Sequence, residues 1–123
     1  MKERSLEDDL KMIHIAHASR YHWGVVGGPL QFERGEWQIS RVYSVLDRSE
    51  PTLYHAKKCL ALCKENDIGD FDLSFAYEAM ARAYRLSGEE DKHNQYYEEA
   101  EKAGKLIKDK GNREYFSSEL KTA

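Results

Sequence analysis

Several groups of side chains in this 123-residue chain have the types and spacing to do chemistry. His14 and His17 stand three apart with His22 close behind, and Glu33 and Glu36 repeat the same spacing further on. Residues three apart share one face of a helix. A His-x-x-His opposite a Glu-x-x-Glu would offer nitrogen and oxygen donors to a divalent metal, and a water on that metal would become a hydrolytic nucleophile. The pattern is not the Glu-x-x-His arrangement of dimetal carboxylate bundles. A reading without metal has His17 packed on Tyr21 and a neighbouring helix, with His14 and His22 half exposed, and no cofactor is then expected.

His55, Cys59 and Cys63 recur every fourth residue and form a second stripe. It would suit an activated thiol or a soft metal, but three ligands spread along two helical turns do not converge easily on one ion. Free cysteine is among the most buried residue types, so Cys59 reads better as a structural residue. A disulfide between Cys59 and Cys63 would be geometrically poor within a helix. Both are read as free thiols, and the charged N-terminus without an apolar signal core, with no membrane-long apolar run, leads to the expectation of a cytoplasmic protein. The run from Gly24 to Pro29 is glycine-rich, but it follows a helix and lacks the lysine and hydroxyl pair of a phosphate loop, so no nucleotide site is expected.

The elements that must position these residues are helices. Charged residues make up 33% of the chain and hydrophobic ones 41%, with only two prolines, a balance that suits amphipathic helices around one core. The formal charge of −3 gives no support to nucleic-acid binding. No run of apolar residues is long enough to cross a membrane, and the charged N-terminus lacks a signal core.

Six helices are expected within a single domain spanning 1–123. The first, over 5–23, starts at a Ser5/Asp8 capping pattern and carries Leu6, Leu10, Ile13, His17 and Tyr21 at helical spacing. Pro29 opens a second helix reaching about Leu46, and Ser49 is expected to cap a third bearing Leu53, Ala56, Leu60 and Cys63 on its apolar face. After a turn at Asn66–Gly69, Asp70 is expected to cap a fourth helix with Leu73, Tyr77, Met80, Ala81 and Tyr84 facing inward, ended by Gly88. A fifth follows from about Glu89 with Tyr96, Tyr97, Ala100, Ala103 and Ile107, and a short sixth covers about 112–121. Connections of a few residues make antiparallel hairpins, here about 29–66 and 70–109.

The hairpins repeat. Placing Tyr43 on Tyr84 sets Ile39 on Met80, Ser40 on Ala81, Asp47 on Gly88, Ala56 on Tyr97 and Cys59 on Ala100 without a gap, an offset of 41 residues. Each copy has a small residue three before the aromatic, a turn residue four after it, and packing residues thirteen and sixteen after it. This resembles the tetratricopeptide repeat in a long-helix variant, since the family period is about 34 residues. Thr52 and His93 stand where the family usually has alanine, and Lys64 and Lys105 where it has proline.

The resemblance implies an all-α fold of antiparallel hairpins stacked as a short right-handed superhelix, with the first and sixth helices as caps. It also implies a concave surface on the first helix of each hairpin. Helical geometry places Arg34, Trp37, Gln38, Arg41, Glu78, Arg82 and Arg85 on that side. Arginine offers a planar donor fork for carboxylates and tryptophan a typical binding anchor. The implied function is a protein or peptide interaction module for an acidic segment, without catalysis and with a homo-oligomer as a further option, because short arrays expose apolar ends. A small metal-dependent hydrolase using His14, His17, Glu33 and Glu36 is the alternative.

Overall fold

The computed structural model describes residues 8–17 and 28–123, and these contain six helices and no strand. Residues 8–17 form α1; α2 is Pro29–Val45, α3 Ser49–Glu65, α4 Asp70–Leu86, α5 Glu90–Lys105 and α6 Lys110–Leu120. The Ser5 cap, Tyr21, His22 and the glycine run up to Gly27 lie outside the described residues. Among those residues no helix is long and apolar enough to cross a membrane.

Local chemistry explains most boundaries. Pro29 begins α2, where its missing N–H costs nothing, and the Gln31 side chain accepts from the Gly28 N–H at 2.9 Å. Asp109 caps α6 by accepting from the Asn112 N–H at 2.8 Å, which starts that helix earlier than the expected residue 112. Two expected caps are displaced by one residue. Arg48 and Gly69 hold the N-cap positions of α3 and α4, and Ser49 and Asp70 are the first residues of those helices, Asp70 with a left-handed φ of 54°. The reason at α3 is the turn before it. Asp47 adopts φ 56°, the Arg48 N–H donates to the Tyr43 carbonyl, and the Thr52 hydroxyl closes the first turn on the Arg48 carbonyl at 2.6 Å.

The 41-residue repeat is visible in the backbone. α2 and α4 start 41 residues apart, as do α3 and α5. Asp47 and Gly88 both take left-handed backbone, at φ 56° and 77°. The Arg48 N–H bonds to Tyr43 O and the Glu89 N–H to Tyr84 O, each at 3.0 Å, so the same helix-ending turn leads into the second helix of each hairpin.

Contacts join α2 to α3, α3 to α4 and α4 to α5, while α2 and α6 both also rest on α4. One buried cluster gathers Ala56, Cys59, Leu60 and Cys63 of α3 against Ala76, Ala79, Met80 and Tyr84 of α4. A second gathers Phe75, Ala100, Ile107, Phe116 and Leu120 from α4 to α6. Trp37 and Tyr77 pack against both clusters. Small residues set the spacing: Ala56, Cys59, Ala76, Ala81, Ala83 and Ala100 are buried, and the buried Ser40 hydroxyl donates to the Thr52 carbonyl at 2.9 Å.

Candidate functional site

The seven residues expected on the concave side fall into two neighbouring groups, both built on α2 and α4. Arg34, Trp37 and Gln38 line a cleft of about 550 Å³ with Glu33 of α2, Phe71, Asp72 and Phe75 of α4 and Tyr115 of α6. Arg41, Arg82 and Arg85 line a second hollow closed on one side by Thr122.

In the second group the cations already hold a peptide segment. Arg41 pairs with Glu119 at 3.2 Å. Arg82 donates to the Thr122 hydroxyl at 2.8 Å and to the carbonyls of Thr122 and Glu119, and Arg85 donates to the Thr122 carbonyl at 2.8 Å. Glu78 lies fully buried below them, one turn before Arg82 and paired with it at 3.2 Å. Burial pushes the Glu78 carboxyl above its usual range, while Arg82 and Arg41 pull it back. The stretch 119–122 therefore occupies the arginine surface of its own chain, a relation between residues about 40 to 80 positions apart that helical periodicity does not reveal.

The first group is an aromatic cleft over buried acid. Trp37 meets Phe75 edge to face at 5.6 Å between centroids, Phe71 lies 4.7 Å from Phe75, and Tyr115 extends the wall. Glu33 is only 1% exposed. Its Oε1 accepts from the Cys59 thiol at 3.0 Å, its Oε2 lies beside Asp72, and the Trp37 indole N–H is buried without a partner among the described residues. Arg34 forks onto both oxygens of Asp72, at 2.9 and 3.2 Å. Burial raises the Glu33 pKa to about 8, and the neighbouring Asp72 acts in the same direction against the Cys59 hydrogen bond. Cys59 and Cys63 are buried free thiols. The hydrogen bond to Cys63 and burial push the Cys59 thiol far up, so it stays protonated and is no nucleophile at neutral pH.

The histidine and glutamate pairs do not meet as a set of four. His17 faces Tyr43, with Nε2 3.0 Å from the phenol oxygen, and crosses the His55 ring at 5.5 Å. Glu36 bonds His55 Nδ1 at 2.6 Å, whereas Glu33 turns to Cys59 and Asp72 and His14 is exposed. Partial burial and then the neighbouring His55 hold His17 below the ordinary histidine range. No group of three His, Cys, Asp or Glu side chains among the described residues is arranged to hold a metal ion. His55 completes this cluster, and its place four residues before Cys59 was the signal that it shares a face with the buried thiols.

Comparison with protein-family models, curated proteins and solved structures returns no match. The functional reading rests on geometry alone. Sequence periodicity brought out Arg34, Trp37 and Gln38, but not Phe71, Asp72, Phe75 and Tyr115, which complete the cleft from other helices. Phe71 and Phe75 are four apart on α4, a signal of a shared aromatic face.

Proposed function

We propose that this protein is a tetratricopeptide-like interaction module, a short right-handed stack of helical hairpins that binds an acidic protein segment through Arg41, Arg82 and Arg85. The observation that carries this reading is the docking of residues 119–122 on those three arginines, through one carboxylate, one hydroxyl and backbone carbonyls. An outside segment of the same chemistry would compete with this tethered one, whose effective concentration is on the order of millimolar. The equal offsets of the helix starts and the matched turns support the repeat assignment. The reading needs no catalytic residue, and buried free thiols fit a cytoplasmic setting.

The test is anisotropy of a labelled acidic peptide. Glu119→Ala removes the competing carboxylate and is expected to tighten binding by about tenfold, a change of roughly 1.4 kcal/mol. Arg82→Gln with Arg85→Gln should abolish the gain, and salt should weaken the complex. Absence of binding by both the native chain and Glu119→Ala would sink the proposal, as would binding that ignores loss of the two arginines.

A further inference from the structure

The cleft between α2, α4 and α6 carries an imbalance that the peptide surface does not explain. Among the described residues two carboxyls, Glu33 and Asp72, line it, and Arg34 is the one cationic side chain lining it with them. That cation donates from Nε and one Nη to Asp72 and makes no hydrogen bond to Glu33. Glu33 is almost wholly buried, and the polar group beside its Oε2 is another acid, Asp72; the enclosed Trp37 indole N–H has no acceptor among the described residues. Buried polar atoms are nearly always satisfied, so an orphaned N–H lining the cleft marks a place for a ligand's polar atom. The walls are four aromatic rings, whose faces attract cations. An anion would meet two carboxyls there, whereas a cation would meet both carboxyls and ring faces.

We propose that this cleft binds an organic ammonium head group, seated among Trp37, Phe71, Phe75 and Tyr115 and countered by Glu33 and Asp72. An oxygen carried near the ammonium would accept from the Trp37 N–H. The head group can be that of a free small molecule or of an alkylated lysine side chain, since both present the same cation. Glu33 faces Arg34 on its own helix, Cys59 from α3, Asp72 from α4 and the Tyr115 wall from α6. Its proton must leave when the cation arrives, so binding strengthens as pH rises toward about 8 and then levels off.

The probe is choline, with its uncharged carbon isostere 3,3-dimethylbutan-1-ol as the control. Binding is read from the indole N–H resonance of Trp37, assigned by its loss in Trp37→Phe. Choline is expected to bind about tenfold tighter than the alcohol, as a desolvated cation–π contact provides. Glu33→Gln should erase most of that ratio, and Tyr115→Ala, which alters a half-exposed ring and leaves the core intact, should weaken choline several-fold. Tighter binding of a trimethyl-lysine peptide than of choline would assign the head group to a protein side chain, and the reverse to a free small molecule. Equal binding of choline and the alcohol would overturn the proposal, as would no binding of choline or the trimethyl-lysine peptide to the native chain.

Discussion

Glu33 shows how far a residue's chemistry depends on its neighbours. A glutamate on an exposed helix face would ionise near its ordinary value of 4.5, but here burial and Asp72 raise the pKa to about 8. Below pH 4.5 both folded and unfolded chains keep this proton, and between 4.5 and about 8 only the folded chain does. Stability contributed by Glu33 is therefore full at low pH and declines as pH rises through that window, by up to about 1.4 kcal/mol per pH unit. Glutamine cannot titrate. Urea midpoints should show Glu33→Gln gaining on the native chain between about pH 5 and about pH 8. Parallel pH profiles for the two proteins would refute the assignment.

The helices are set by their ends and their small residues. The repeat offset, Pro29 at the start of α2 and Gly88 at the end of α4 were all legible, because caps and left-handed turns leave marks in a few adjacent residues. The cap of α3 was misplaced by one residue because the turn at Asp47 is closed by backbone bonds that no side chain advertises. Close approach of α6 to α5 rests on Gly104. A Cβ there would lie 2.5 Å from the buried Phe116 ring. Alanine raises helix propensity by about 1 kcal/mol, but the clash should outweigh it. Gly104→Ala is expected to destabilise by a net 1–2 kcal/mol or so in denaturant unfolding, and a more stable variant would show that α6 is free to shift.

At the scale of the molecule, the two buried clusters are joined through Trp37 and Tyr77, which pack on both. Such a link makes the hairpins unfold together. A single transition, coincident in near-ultraviolet and far-ultraviolet circular dichroism, is expected for the native chain. Trp37→Ala should lower stability by about 3 kcal/mol and separate the two signals. Coincident transitions in that variant would show that α4 alone couples the hairpins.

Periodicity, turn residues and the 41-residue repeat determined the helices, their antiparallel pairing and the burial of Cys59, Ala56 and Met80, since each depends on residues a few positions apart or on one repeated spacing. The same patterns put Arg34, Trp37, Arg41, Arg82 and Arg85 on neighbouring faces. What fills those faces was decided only in three dimensions. Asp72 reaches Arg34 from a different helix, Glu119 and Thr122 return from the far end of α6 to the arginines, and Phe71, Phe75 and Tyr115 close the cleft over Glu33. Helical spacing carries no information about partners 37 to 78 residues away. Those pairings follow from how α4 and α6 pack, and packing fixes which charges are paired and which buried acid keeps its proton.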